Sequence, residues 1–132
     1  MSDSEKKVVQ AFVEAFSRGD IDTALTHLAD DGVIDEAEGM NHSGLYKGGP
    51  KGFSKLLVLM TAEMDAAVDS CDYLDAEGVI VTKMALTFTS KKTGRKFPTR
   101  VTELYTVKNG RITSLDSYYK DPAGVAALQA EK

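Results

Sequence analysis

The chain reads as an α+β domain, with amphipathic helices in its first half and β-strands in its second. Two patterns predict this. Apolar residues recur at one-face helical spacing, as Val9, Phe12, Val13 and Phe16 and again as Phe53, Leu56, Leu57 and Met60. From Val79 onward, runs rich in Val, Thr, Tyr and Phe alternate with period two and are separated by turn signals such as Asn109-Gly110. Helices laid on one face of a curved antiparallel sheet are the layered arrangement that buries both patterns.

Taken in order, Ser2 and Glu5 have capping-box spacing and start a first helix. Ser17-Arg-Gly-Asp20 stops it, with Gly19 suited to a left-handed position and Asp20 suited to cap the next helix. That second helix carries the stripe Ile21, Ala24, Leu25 and Leu28 and ends at the turn Asp30-Asp-Gly32. Val33 to Ala37 makes a short strand, with Ile34 and Glu36 on one face. Residues 39–49 are a Gly-rich loop, and Pro50 sits in the first turn of a third helix over about Lys51 to Glu63. Its inward residues are Phe53, Leu56, Leu57, Met60 and Met64.

An antiparallel meander follows. Residues 68–74 form its first strand, turned by Asp75 to Gly78. Val79 to Thr89 comes next, with Met84, Leu86 and Phe88 opposite Lys83, Thr87 and Thr89. Residues 90–96 are a hairpin tip, Thr99 to Val107 is a strand, Asn109-Gly110 is a turn, and Arg111 to Lys120 is the last strand. Asp121-Pro122 breaks it ahead of a short tail helix over 123–129.

At 132 residues the chain suits one domain, 1–132. Hydrophobic residues make up 42% and charged residues 27%, which is ordinary globular composition. A net charge of −4 argues against a general nucleic-acid binder and gives no reason to expect an anionic membrane surface as partner. The single cysteine, Cys71, excludes an intramolecular disulfide and reads as a small buried hydrophobe. The charged start lacks an apolar signal region, and no run reaches membrane-spanning length, so the expected compartment is the cytoplasm. The acidic residues Asp30, Asp31, Asp35, Glu36 and Glu38 cluster in sequence. Turn capping and a solvated strand edge explain most of them, and no His- or Cys-rich spacing predicts a metal. The run Lys91 to Lys96 reads as a solvated hairpin tip.

One residue breaks the strand pattern. Alternation places Val101, Glu103, Tyr105 and Val107 on one face, so a carboxylate stands where apolar side chains want a core. Such a group is costly unless paired, hydrogen-bonded or protonated, and positions of this kind are candidates for acid–base chemistry. The plainer reading is a Glu at the wetted rim of a sheet.

The order of elements and several motifs resemble the SnoaL-like branch of the nuclear transport factor-like superfamily, which also includes ketosteroid isomerase. The residues that carry this are Val8-Val-Gln-Ala-Phe-Val-Glu-Ala-Phe-Ser-Arg-Gly-Asp-Ile-Asp22, Leu28-Ala-Asp-Asp-Gly-Val33, Tyr46-Lys-Gly48 and Tyr105-Thr-Val-Lys-Asn-Gly-Arg-Ile112. The resemblance implies a cone, with a bent sheet wrapped around helices to enclose an apolar pocket, and dimerisation through the outer sheet face. It places Glu36 at a general-base carboxylate and Glu103 at a protonated acid in an oxyanion hole, a pairing that proton abstraction beside a carbonyl requires. The tyrosine that completes that hole falls at Phe12, which cannot donate; Tyr105 or Tyr119 would have to substitute. A SnoaL-like cyclase needs chiefly one carboxylic acid–base group, so either glutamate suffices for it.

The same matching brings Leu115, Ser117 and Tyr119 to the inner face. With Phe12, Phe16, Met60, Met84, Leu86, Phe88 and Tyr105 they would line a cavity for a flat hydrophobic ligand. His42, in the Gly39 to Gly49 loop, is a candidate lid residue; His27 reads as solvent-facing. The expected protein is therefore a cofactor-independent enzyme of isomerase, cyclase or dehydratase type acting on a hydrophobic carbonyl compound. The alternatives are a non-catalytic apolar-ligand binder and a dimeric interaction module.

Overall fold

The computed structural model describes residues 2–132. Helix α1 (Ser2–Ser17) begins where the capping box placed it, although the side chain of Ser2 lies outside the described part. Gly19 takes φ +77, and Asp20 caps α2 (Ile21–Leu25) by accepting from the Thr23 N–H at 3.2 Å. Helix α2 is shorter than expected. Leu28 belongs to β1 (Leu28–Glu36), because the last strand recruits it: Leu28 faces Ile112 in the ladder, and the Ile112 N–H donates to the His27 carbonyl at 2.8 Å.

Asp30-Asp-Gly32 is accordingly no turn between elements but an irregular stretch inside β1, where the register against the last strand shifts between Leu28 and Val33. Gly32 is buried there, and Gly49 packs on it, its N–H donating to the Gly32 carbonyl at 2.9 Å. A Cβ on Gly49 would stand 1.9 Å from the Ala29 carbonyl oxygen, and its φ of +52 also favours glycine. The Gly-rich loop contains a short strand that sequence did not separate, β2 (Gly44–Tyr46), paired antiparallel to β1.

Pro50 opens α3 (Pro50–Met60) as expected. Met64 is fully buried but begins β3 (Met64–Ala76) rather than closing α3. Then come β4 (Val79–Ser90), β5 (Lys96–Lys108) and β6 (Arg111–Tyr119), joined at Asn109-Gly110 with φ of 53 and 75 as a primed hairpin turn needs. Helix α4 (Pro122–Gln129) is capped by Asp121, whose side chain accepts from the Gly124 N–H at 2.8 Å.

The strands form one sheet in the order β2-β1-β6-β5-β4-β3. The meander from β3 to β6 is antiparallel, but β1 joins β6 in parallel, so the sheet is mixed rather than antiparallel throughout. A parallel neighbour needs a long crossover, and everything from β2 to β5 supplies it. Helices α1 and α3 close the inner face, and their seam is aromatic. Phe12 meets Phe53 edge-on at 5.2 Å and Tyr105 at 6.1 Å.

Candidate functional site

Strand register decides which side chains meet on the inner face. Tyr73 is opposite Thr82, Thr82 opposite Glu103, and Glu103 opposite Ser117. On the far side, Asp35 pairs with Asp116, which sets Glu36 beside Ser117. Five neighbouring strands thus contribute one continuous polar row, Glu36, Ser117, Glu103, Thr82 and Tyr73, through an otherwise apolar wall. The rows to either side, such as Ile80, Tyr105 and Leu115, are buried core.

Glu103 is the member with the most hydrogen-bond donors. Tyr105 donates its hydroxyl proton to Oε1 at 2.5 Å, Ser117 donates to Oε2 at 3.3 Å, and Thr82 approaches Oε1 at 3.5 Å. Burial raises its pKa, while the same hydroxyls, Tyr105 first, pull it back down. Glu36 is 7% exposed, and its Oε1 is buried with no hydrogen-bond partner. Desolvation first, and then the charge of Glu103, push its pKa up to about 8; weaker opposing contributions come from Ser117, the Ala37 N–H and Tyr119. Two carboxyls this close in a dry wall do not both ionise near neutral pH. Three hydroxyl donors favour the charged form of Glu103, whereas the orphan oxygen of Glu36 disfavours its charged form. The sequence resemblance implies the opposite order, with Glu36 the ionised partner and Glu103 the neutral one; the hydrogen bonds favour charge on Glu103.

Both glutamates open onto a narrow cavity of about 60 Å³. Phe12, Phe16 and Met60 line it from the helices, and Met84, Leu86, Phe88, Tyr105, Leu115 and Tyr119 line it from the sheet, as the sequence placed them. Ser117 does not reach the cavity; it is 3% exposed and stands behind the wall as a donor to Glu103. Phe53, Leu56 and Leu57 of α3, Val13 of α1 and Ala66 of β3 complete the lining. Thr82 was missed, although its signal was of the same kind as that of Glu103: it is the polar residue in the alternation Ile80, Thr82, Met84, Leu86, Phe88.

The Phe12 ring packs edge-to-face in the aromatic seam and offers no donor. Tyr105 spends its hydroxyl on Glu103. Tyr119 is the tyrosine that faces the cavity near Glu36. His42 corrects the lid expectation. It is fully buried, with Nε2 3.0 Å from the Tyr119 hydroxyl and Nδ1 3.1 Å from Gln129 Nε2. Burial lowers its pKa to about 4, so it is a neutral imidazole fixed behind the wall. His27 is half-buried rather than fully solvent-facing. The Cys71 thiol, pushed up to about 11 by burial, stays protonated at neutral pH. Among the described residues no cluster of His, Cys, Asp or Glu is arranged to hold a metal ion, and no helix is long and apolar enough to cross a membrane.

A bent mixed sheet wrapped on helices around a pocket with a polar stripe defines a cone-shaped α+β pocket domain of the nuclear transport factor 2-like class. The family model for the SnoaL-like domain matches residues 9–115, and the chain belongs to that family. Solved structures share the fold over nearly the whole chain. A nuclear transport factor 2-like protein of unknown function from Burkholderia pseudomallei superposes with a TM-score of 0.87 at 20% identity, covering 99% of this chain and 100% of its own. A putative polyketide cyclase from Xanthomonas campestris pv. campestris gives 0.83 at 21% identity, covering 96% and 98%. TerC, co-crystallised with polyporic acid, gives 0.83 at 16% identity, covering 94% and 97%. No curated protein matches the sequence.

Proposed function

We propose that this protein is a cofactor-independent enzyme that moves a proton on a small hydrophobic carbonyl compound, as in isomerisation, cyclisation or dehydration. The observation that carries the proposal is the unequal pair of glutamates in one apolar wall: Glu103 with three hydroxyl donors and Glu36 with a buried, unpartnered oxygen. In this reading Glu103 is the base. It takes a proton from the carbon beside the carbonyl, the C–H electron pair moves toward the carbonyl oxygen, and Glu36 gives its proton to that oxygen. Tyr119 supplies a second donor there. The enol oxygen then returns its proton to Glu36 as the carbonyl reforms, and the electron pair takes the Glu103 proton at a conjugated carbon, attacks a second carbonyl whose oxygen takes that proton, or expels a hydroxyl that leaves with it as water. A base and a neutral donor on one wall, with water kept out by Phe12, Phe53 and Leu56, are what such a step asks of a protein.

The similarity to a fold neighbour described as a putative polyketide cyclase supports the reaction class. The cavity limits the substrate. At about 60 Å³ it is far below the roughly 300–1,000 Å³ of ordinary ligand pockets, so a flat ligand enters only as flexible side chains, Met60 and Met84 foremost, swing aside. The test is carbon-bound proton exchange with deuterium oxide, followed by NMR across cyclic enones and β-dicarbonyl compounds. Exchange that falls by about 10²–10⁴-fold in Glu103→Gln supports the assignment. Exchange that is unchanged in both Glu103→Gln and Glu36→Gln removes it and leaves apolar-ligand binding as the pocket's role.

A further inference from the structure

We infer that Gln129 and His42 are positioning residues of the pocket: a one-way hydrogen-bond chain from the Asn41 backbone through Gln129 and His42 turns the Tyr119 hydroxyl proton into the cavity, toward Glu36. The inference rests on the reading of Glu36 and Tyr119 as the donor side of the site, and it adds α4 to that site.

The direction of the chain follows from which atoms are able to donate. The Asn41 backbone N–H, which has only a proton to give, meets Gln129 Oε1 at 2.9 Å. That fixes the amide, so Gln129 Nε2 faces His42 Nδ1 at 3.1 Å. An amide nitrogen donates and does not accept, so Nδ1 must present its lone pair. The ring is neutral, since it is fully buried and no carboxylate is hydrogen-bonded to it. Its one proton is therefore on Nε2, which donates to the Tyr119 oxygen at 3.0 Å. The Tyr119 proton then has to point away from the histidine, into the cavity that Glu36 also lines. In the other tautomer the phenol would donate to the ring and turn lone pairs toward the pocket. A buried amide at the end of α4 thus decides whether the pocket's tyrosine is a donor or an acceptor.

Gln129 and His42 are hydrogen-bonded at both ends of their side chains. Gln129 is 3% exposed, and α4 is held down by the fully buried Val125 and Leu128. Tyr46 of β2 steadies the loop by donating to the His42 carbonyl at 2.8 Å. The titratable groups that face Tyr119 and Glu36 are one another, Glu103 from β5 and His42, which is hydrogen-bonded to Tyr119; Tyr46 of β2 in turn feels the charge of Glu36.

The first test is a long-range ¹⁵N–¹H spectrum of the His42 ring at pH 7, with His27, the other histidine of the chain, assigned by substitution. The expected result is the Nε2–H tautomer. An Nδ1–H tautomer or an imidazolium overturns the proposal. The second test is carboxyl-carbon NMR titration of Glu36 in Gln129→Met, which keeps length and apolar bulk but neither donates nor accepts. The Glu36 midpoint should rise by about 0.5–1 unit, roughly one hydrogen bond's worth. Tyr119→Phe should give the same rise, and the double variant no further rise. Rises that add in the double variant would mean that Gln129 acts by packing alone, and would sink the relay. If Gln129→Met does not fold, the wild-type tautomer decides. Neither readout needs a substrate, so failure of the proposed reaction and failure of the relay are told apart.

Discussion

Replacing Glu36 by glutamine should make the protein more stable at neutral pH and remove much of its pH dependence. The folded-state pKa of Glu36 is raised to about 8 from an ordinary 4.5. Below pH 4.5 the group is protonated in both the folded and the unfolded chain and costs nothing. Between 4.5 and 8 the unfolded chain gives up the proton while the folded one keeps it, so stability falls as pH rises. At about 1.4 kcal/mol per unit, the loss is about 3 kcal/mol by pH 7 and levels near 5 kcal/mol above pH 8. Glutamine has the shape of the protonated acid and no charge to bury. At pH 7 the variant should therefore be more stable by about 3 kcal/mol, or roughly 10 °C in Tm for a domain of this size. At pH 4.5 the two proteins should be nearly equal. The chain has no tryptophan, so urea unfolding is best followed by far-UV circular dichroism from pH 4.5 to 8.5. Glu103, also raised, leaves a residual slope in the variant. A wild-type-minus-variant difference that stays flat across that range would refute the reasoning, because it would mean that Glu36 ionises as readily folded as unfolded.

Other outcomes follow from the same geometry. Tyr105→Phe removes the shortest bond to Glu103, so it should cost about 1.5–3 kcal/mol at neutral pH and raise the Glu103 midpoint, both accessible from unfolding and carboxyl NMR. Gly49→Ala forces a Cβ to within 1.9 Å of the Ala29 carbonyl oxygen at a positive φ; a loss of more than about 2 kcal/mol in urea unfolding is expected, against about 1 kcal/mol for the control Gly94→Ala, whose Cβ meets nothing within 4 Å and which carries the cost of positive φ alone. A homodimer through the outer sheet face would cover the row Leu74, Val81, Leu104 and Asp116 together with exposed Tyr118, so Leu74→Lys with Tyr118→Lys should halve the mass seen by sedimentation; a wild-type monomer at high concentration would end that idea.

Placing a glutamate in a buried strand face is unfavourable locally, and here the cost is unevenly shared. Glu103 is compensated by three hydroxyls and Glu36 is not, so the site stores its strain on one carboxyl. That imbalance separates the two protonation states, and its physical origin is the number of donors each strand register delivers rather than the residues' own chemistry.

Local pattern sufficed for much of the molecule. Helical spacing in Val9 to Phe16 and Phe53 to Met60, period two in Val79 to Val107, and turn chemistry at Gly19, Pro50 and Asn109-Gly110 determine their own conformations, because each is a short-range preference of the backbone. The same alternation was enough to mark Glu103 as out of place. Tertiary structure decided what depends on partners far along the chain. Leu28 left its helix because β6 offered a ladder position, and β1 lies parallel to β6 because of where the crossover ends, which no local period encodes. Of the three donors to Glu103, Tyr105 stands two residues along the same strand, whereas Thr82 and Ser117 come from the neighbouring strands and reach it only through register. His42 lies in its loop as the sequence places it, but it is no lid residue, because partners 77 and 87 residues away, Tyr119 and Gln129, hold it buried. Sequence determined where the chain bends and which faces are apolar; the meeting of distant donors and acceptors, and hence the charge on each carboxyl, is a property of the packed sheet alone.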